Sequence, residues 1–207
     1  MHTAVDEIAP DTFRLSTYIP DVGPTGMTFN QFLIRDEQPM LFHTGHRQLF
    51  PLVSEAVGTL VPLEDLRWIA FGHIEADECG SMNQFLAAAP GAQITHGALG
   101  CMVSLNDMAD RPPVPLEDGQ VIELGRHRVR HIDTPHVPHG WEARLIFDDT
   151  DHSLLVGEGA RRRAVACGNG GVDHRATGSG TARALSEKRH GLRLYQIQSA
   201  QFYATME

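Results

Sequence analysis

The spacing of hydrophobic residues predicts strands followed by a helix in the first part of the chain. FRLSTYIP and MTFNQFLIRDEQPMLFHTG predict three strands, the last two joined by a turn at residues 36–39. The next segment predicts a helix, because its apolar residues recur at intervals of four, four and three: Leu49, Val53, Val57 and Leu60. LRWIAFGH is an almost continuous apolar run, which is typical of a strand buried on both faces.

The pattern continues with helices, a short strand and two hairpins. CGSMNQFLAAAP, which ends at Pro90, and CMVSLNDMA predict helices, and AQITHG between them predicts a strand. The Pro-rich DRPPVPLEDG is interpreted as an ordered loop. QVIELG with HRVRHIDTP predicts one hairpin, and EARLIFDDTDHSLLVGE predicts another that turns at residues 148–151. This mixture favours a layered α/β sandwich over a purely parallel sheet.

Length and charge narrow the functional class. The 207 residues fit one domain, perhaps with an appendage. A net charge of −9 argues against nucleic-acid binding, which depends on basic side chains. Apolar runs are too short for a membrane span, and the acidic N-terminus does not resemble a secretory signal. We therefore expect a cytoplasmic protein, with no nucleic-acid or membrane partner.

Charge is unevenly distributed and divides the chain near residue 158. Residues 1–158 contain 23 acidic and 9 basic side chains, whereas residues 159–207 contain 3 and 8. We therefore divide the chain into a main domain at residues 1–158 and an atypical tail at residues 159–207, rich in Arg and Gly. Two explanations of the tail stay open. It is either a genuine variable, partly disordered segment or the product of a shifted reading frame in the gene.

Three strand ends carry side chains that can bind metal. His73, Glu75 and Asp77 occupy alternate positions directly after LRWIAFG. His136 and His139 lie in DTPHVPHG, where two prolines stiffen the loop. Glu158 follows the apolar run SLLVG. Imidazole and carboxylate groups hold Zn, Fe or Mn when they converge from separate elements. Each motif alone could be a solvated turn, so the prediction of a metal site depends on the three together.

The order His-x-Glu-x-Asp, His-x-Pro, Gly-Glu resembles the metallo-β-lactamase superfamily, and within it the oxygen-binding di-iron proteins related to the di-iron domain of flavodiiron proteins. The resemblance covers about residues 10–158 and implies an αββα sandwich, expected here to be incomplete at its C-terminus. It implies that His73, Glu75 and His136 hold one iron, that Asp77 belongs to a second, and that Glu158 bridges them. His139 would then lie around the site or donate protons.

Several residues depart from the pattern of this family. Glu78 stands where flavodiiron enzymes usually have His, so its role as a ligand is secondary in the prediction. Glu158 is longer than the usual bridging Asp. Beyond Glu158, the sequence does not resemble the segment that carries the last His of the family. The second metal position is therefore the doubtful one.

Three functional hypotheses follow from the resemblance. The first is a non-haem di-iron protein that binds or reduces O₂ or NO with electrons from a separate protein, since the chain does not resemble a flavodoxin. The second is a zinc hydrolase, which Glu75 disfavours because hydrolases have His there. The third is a degenerate member with an impaired second metal site. A homodimer would let a partner subunit shield the metal.

Overall fold

The computed structural model describes residues 1–135, 141–156 and 193–196, the last as backbone only. One sheet has seven strands that lie in chain order. They are β1 (Thr3–Ala9), β2 (Thr12–Ile19), β3 (Met27–Ile34), β4 (Met40–Phe42), β5 (Trp68–Ala70), β6 (Gln93–Gly97) and β7 (Val114–Leu116). The first four strands pair antiparallel, and β4 to β7 pair parallel. The pairing in this sheet therefore changes from antiparallel to parallel at β4. The candidate metal motif follows β5, the next strand.

The second sheet has five strands and is mainly antiparallel. Its strands are β8 (Val121–Glu123), β9 (Arg128–Asp133), β10 (Arg144–Asp148), β11 (Ser153–Val156) and β12 (Arg193–Gln196). Their order across the sheet is β12-β11-β10-β9-β8, and β12 pairs parallel with β11. Four residues of the segment 159–207 are therefore part of this sheet.

Helices connect the parallel strands of the first sheet. They are α1 (Phe50–Gly58), α2 (Ala76–Cys79), α3 (Met82–Ala88), α4 (Ala98–Gly100) and α5 (Asn106–Met108), with a π-helical turn at Cys101–Leu105 between the last two. Pro51 lies in the first turn of α1, where its missing N–H is harmless, as expected from the sequence. None of the helices among the described residues is long and apolar enough to cross a membrane.

Alternating side chains give each sheet two buried faces. On one face of the first sheet, Leu33, Leu41 and Ile69 pack with Val53 of α1 and Phe85 of α3. The opposite face packs against the second sheet and supplies a separate cluster: Phe32, Ile34, Met40, Phe42, Ala70, Leu116, Ile122, Leu124, Val129, Ile146 and Leu155. The far face of the second sheet holds a third cluster: Ile132, Leu145, Phe147, Leu154 and Val156. Helices on one side and two facing sheets form the layers of the predicted α/β sandwich.

Two strands depart from the sequence prediction. The N-terminal segment forms β1, which was not predicted, because most of its side chains are exposed and carry no apolar alternation. The Pro-rich loop prediction was wrong at Val114–Leu116, which forms β7. β7 lies at the edge of the sheet, with β6 on one side. Pro115 lacks a backbone N–H, and an edge strand tolerates this because one of its sides needs no pairing partner.

A buried ion pair joins the start of β9 to the end of β10. His127 Nδ1 lies 2.6 Å from Asp148 Oδ2, and both side chains are about 1% exposed. The hydrogen bond from the imidazole to the Asp148 carboxylate raises the pKa of His127, although burial opposes it. The pair joins two neighbouring strands and is therefore a structural element of the second sheet.

The His127–Asp148 pair should make stability depend on pH. Because the folded pKa of His127 is raised, its stabilisation is fully present below the unfolded pKa of about 6.5. It should be lost as pH rises through the folded pKa. Urea unfolding at a series of pH values is expected to show this loss in the unmodified chain and to show it reduced in Asp148→Asn. Glu123→Gln, which changes an exposed carboxylate paired with Arg128, is the control and should keep the full pH dependence.

Candidate metal centre

The candidate ligand loop begins at the carboxyl end of β5. Ligand sites in open α/β sheets lie at the carboxyl ends of parallel strands, where side chains from neighbouring strands meet. His43 follows β4, His73 follows β5, and His96 lies near the end of β6. The loop then turns into α2, whose four residues include Asp77 and Glu78. The motif that the sequence places at a strand end therefore spans a strand end and one helical turn.

His73 is held between two carboxylates. Its Nε2 lies 3.3 Å from Glu75 Oε1, and its Nδ1 contacts Glu142 Oε1 closely. The imidazole is 13% exposed, so it lies in the wall of the site with a limited opening to solvent. When Glu142 accepts the Nδ1 proton, Nε2 carries a lone pair directed toward Glu75, as a metal-binding imidazole requires.

Glu142 is a residue that sequence reasoning missed. Its carboxylate also accepts a longer hydrogen bond of 3.4 Å from the backbone N–H of Ile74. It therefore touches both the ring of His73 and the backbone next to it. A carboxylate behind a ligand histidine fixes the tautomer and the orientation of the ring. In the sequence, Glu142 follows the His-rich loop and is the first residue of the predicted hairpin EARLIFDDTDHSLLVGE, but no local pattern links it to His73.

Glu78 is turned away from solvent and serves the loop itself. Its side chain is 1% exposed, and its Oε2 accepts a 2.5 Å hydrogen bond from the backbone N–H of His73. The same oxygen lies 3.3 Å from Nδ1 of His43, which is fully buried. The backbone carbonyl of Glu78 accepts hydrogen bonds from Thr44. Through these contacts, Glu78 holds His73 against the loop that follows β4.

The anchoring role of Glu78 can be tested by stability. Glu78→Leu would leave the buried N–H of His73 without this acceptor, which should lower the free energy of unfolding by about 1–3 kcal/mol. Glu78→Gln keeps an acceptor oxygen and should lose less. Urea denaturation of both variants measures the difference, and equal losses would show that the hydrogen bond has no such role.

Acidic side chains surround the loop and favour a cation. Burial and the neighbouring carboxylates of Glu78 and Glu75 raise the pKa of the Asp77 carboxyl. Like charges held close together are relieved by a bound cation, so the chemistry of His73, Glu75 and Asp77 fits a metal ion. One imidazole with several carboxylates is a ligand set that suits non-haem iron, in contrast to the thiolate-rich ligand sets of other metal sites.

The described residues supply only part of a complete metal site. Within residues 1–135 and 141–156, no three His, Cys, Asp or Glu side chains are arranged so that they could hold an ion. His73 and Glu75 meet, but Asp77 does not complete a group with them. His136, His139 and Glu158 lie outside the described residues, so their roles as ligands stay predictions. The described part of the chain therefore accounts for one side of the predicted site.

A cleft of about 560 Å³ opens beside the ligand loop. Ala76 and Gly80, at either end of α2, form one wall, and His46 lies on another. Ile19 and Leu49 give the cleft an apolar part. The cleft is large enough for a small molecule and borders the segment that carries Asp77.

Comparison with known proteins supports the resemblance seen in the sequence. Residues 27–159 match the family model described as ODP family beta lactamase, which is more than half of the chain. A putative diflavin flavoprotein A 1 from Nostoc sp. is 29% identical over 59% of this chain and 22% of its own length. The rubredoxin-oxygen oxidoreductase of Megalodesulfovibrio gigas is 24% identical over 65% of this chain and 34% of its own length. The chain thus spans about a fifth to a third of these curated relatives.

Solved structures support the fold. A metal-soaked Flv1 flavodiiron core from Synechocystis sp. PCC6803 superposes with a TM-score of 0.74 and 18% identity, over 96% of this chain and 56% of that one. A flavoprotein from Thermotoga maritima superposes with a TM-score of 0.71 and 14% identity, over 95% and 56%. The fold is therefore the metallo-β-lactamase fold found in flavodiiron proteins. Together with the family model over residues 27–159, this shows that the chain belongs to the ODP family of beta lactamases.

Proposed function

We propose that this chain is a non-haem iron protein that binds or reduces O₂ or NO with electrons from a separate partner protein. The observation that carries the proposal is the contact of His73 with Glu75 and Glu142 at the carboxyl end of β5. In this proposal His73 and Glu75 are a pair of ligands and Glu142 supports the imidazole, at the carboxyl end of a parallel strand, where ligand sites in α/β sheets lie. Two curated relatives, a rubredoxin-oxygen oxidoreductase and an anaerobic nitric oxide reductase flavorubredoxin, have names that point to O₂ and NO.

The ligand set of the proposed site consists of His73, Glu75, Asp77, His136 and Glu158, with Glu78 and His139 in supporting positions. Glu75 is the residue that favours iron over zinc, because it replaces a softer imidazole with a carboxylate, which stabilises the ferric state. Two irons would use the whole set, and one iron would use His73, Glu75 and His136. Iron, when bound, supplies the one-electron chemistry by which O₂ or NO is reduced.

The protein residues would orient the ligands and admit the small molecule. Glu142 Oε1 lies in close contact with Nδ1 of His73. A proton held on Nδ1 by this carboxylate would direct the lone pair of Nε2 toward the metal. Glu78 holds the backbone of His73 in place. In this proposal a small molecule would approach through the cleft beside α2, which Ala76 and Gly80 line. Electrons would come from a partner protein, and a homodimer would shield the site from water.

Oxygen and nitric oxide consumption test this proposal. The chain is loaded with Fe(II) under anaerobic conditions, supplied with electrons from a chemical reductant through a small redox protein, and mixed with O₂ or NO in an electrode cell. Consumption that exceeds that of free Fe(II) and the reductant supports the proposal. Zinc-loaded protein that instead hydrolyses a β-lactam or an ester would support a hydrolase, and failure to retain any metal would support a degenerate member.

A further inference from the structure

Arg144, the first residue of β10, is the largest side chain that is fully buried among the described residues. It is 1% exposed and lies between the ends of β5, β6 and β9. A charged side chain in this position is costly unless its donors are satisfied. Burial lowers the pKa of Arg144 to about 9, so the guanidinium is still charged at neutral pH. The hydrogen-bond partners of Arg144 therefore show which part of the structure the buried guanidinium holds in place.

Two of these partners are backbone carbonyls at the start of the ligand loop. Nε of Arg144 donates to the carbonyl oxygen of Phe71 at 2.9 Å. The backbone N–H of Arg144 donates to the carbonyl oxygen of Gly72 at 2.8 Å. Phe71 and Gly72 are the two residues directly before His73. One arginine thus holds consecutive peptide units from which the His73 side chain projects.

A third contact ties this loop to the neighbouring strand. The NH2 group of Arg144 donates to the carbonyl oxygen of Thr95 in β6 at 2.6 Å. β6 pairs with β5 up to the pair Ala70 and Thr95, and the guanidinium continues this connection beyond the last ladder pair. The position of the loop relative to the first sheet is therefore fixed by a side chain from the second sheet.

A fourth contact continues into β9. The NH1 group of Arg144 lies 3.0 Å from Nδ1 of His131, and Nε2 of His131 lies 2.6 Å from Asp133 Oδ1. Because guanidinium groups only donate, Nδ1 must be the acceptor, and the proton of the neutral imidazole lies on Nε2, where it is donated to Asp133. Burial lowers the pKa of His131, in agreement with a neutral ring. Asp133 thus balances the charge of Arg144 through His131.

Gly97 shows how closely this network fits the first sheet. A Cβ atom at Gly97 would lie 3.1 Å from Asp133 Oδ1 and 3.3 Å from Nε2 of His131. Both distances are tighter than ordinary van der Waals contacts. The end of β6 therefore approaches the His131–Asp133 pair as closely as a glycine allows, and the network has little freedom to shift.

We propose that Arg144 is a positioning residue whose guanidinium sets the geometry of the His73 loop by fixing the carbonyl of Phe71 against β6 and β9, next to the Gly72 carbonyl that the Arg144 backbone N–H holds. This inference rests on the proposed function, since it concerns the metal that His73 would bind. Replacing a buried ionic group by an apolar one of similar size is often neutral for stability, so stability alone gives no reason for an arginine here. Three directed hydrogen bonds to separate elements give a geometric reason.

Variants at Arg144 separate positioning from stability. Arg144→Met keeps much of the volume and the backbone N–H that binds Gly72 but removes every side-chain donor, whereas Arg144→Lys keeps the charge and one side-chain donor group. Arg128→Met, on the exposed edge of β9, is the matched control. Co(II) is used as the probe, because its absorption spectrum reports ligand geometry. Arg144→Met is expected to lower the Co(II) affinity by about 10- to 100-fold and to change the spectrum, because loss of a residue that supports a metal ligand typically has an effect of this size. Arg144→Lys is expected to fall between Arg144→Met and the unmodified chain.

The outcomes distinguish this inference from the proposed function. A folded Arg144→Met with the affinity and the spectrum of the unmodified chain would overturn the role of Arg144. If the unmodified chain binds no Co(II) or Fe(II), the proposed function fails, and the role of Arg144 is then judged from hydrogen exchange in the unmodified chain, which requires no variant. The amides of His73 and Arg144 are expected to exchange as slowly as those of β5 and β6. Exchange as fast as in the exposed turn at residues 21–25 would overturn the inference.

Discussion

Replacing His73 by alanine is expected to lower the Fe(II) affinity of the chain by more than about 100-fold. His73 is the described imidazole whose Nε2 faces a second proposed ligand, Glu75, at 3.3 Å. Loss of a residue behind a ligand typically costs 10- to 100-fold, so loss of the ligand itself should cost more. Anaerobic titration with Fe(II) in competition with a chelator of known affinity measures the effect.

A matched histidine variant separates a ligand from a general effect of charge. His2 is exposed at the N-terminus, and His2→Ala should leave the Fe(II) affinity unchanged. The stability of His73→Ala is measured in parallel, so that unfolding is not mistaken for loss of a ligand. Equal Fe(II) affinities of His73→Ala and His2→Ala would exclude His73 from the site.

Replacing Glu142 by glutamine should lower Fe(II) affinity by about 10- to 100-fold, because the carboxylate behind His73 would be lost. Glutamine has a similar size but is neutral, and its amide can donate to Nδ1 instead of accepting from it. The preferred tautomer would then place the proton on Nε2, where it blocks metal binding. Nitrogen NMR of the His73 ring in the chain without metal should report this change of tautomer.

The control for Glu142→Gln is Glu64→Gln, which removes one negative charge from an exposed position. Because it alters the net charge equally, it accounts for long-range electrostatic attraction of the cation. If Glu142→Gln keeps both the His73 tautomer and the Fe(II) affinity seen in Glu64→Gln, the contact between Glu142 and His73 does not support metal binding.

Those parts of the fold that have a clear hydrophobic period could be predicted from the sequence. The apolar run before His73 forms β5, and both predicted hairpins of the second sheet are present. β1 was missed because its exposed side chains give no alternating signal, and β7 because proline usually argues against a strand. The local hydrophobic pattern indicates which side chains are buried. It therefore does not predict a strand that is short, exposed or at the edge of a sheet.

The site was predicted only as far as local motifs reach. His73 and Glu75 are neighbours in sequence, and the structure brings them together. Arg144, the first residue of β10, and Glu142, two residues before it, contact the same loop from about 70 positions later in the chain, and no spacing rule connects such distant segments. The buried position of Arg144 was hidden as well, because a lone arginine in a strand normally indicates an exposed face. Arg144 becomes buried when β10 pairs with β9 in the folded chain, and the sequence alone does not show this pairing partner for Arg144.

The assignment of residues 159–207 to an atypical tail stays a prediction. Only Arg193–Gln196 of that segment is described, and it pairs with β11. A strand in this position belongs to the second sheet, so at least these four residues join the domain that the sequence analysis ended at residue 158. The reading-frame hypothesis is tested by the coding DNA, which should continue the family pattern to a histidine in the shifted frame.

Iron held by His73 and Glu75 in the loop after β5 should be visible by Mössbauer spectroscopy. The full chain is loaded anaerobically with ⁵⁷Fe(II), unbound metal is removed, and iron content is determined on the same sample. We expect retained iron with nitrogen and carboxylate ligation, at one or two ions per chain, and its loss in Glu75→Ala. Retention of zinc in place of iron, or of no metal in stoichiometric amount, would show that the loop is not an iron site.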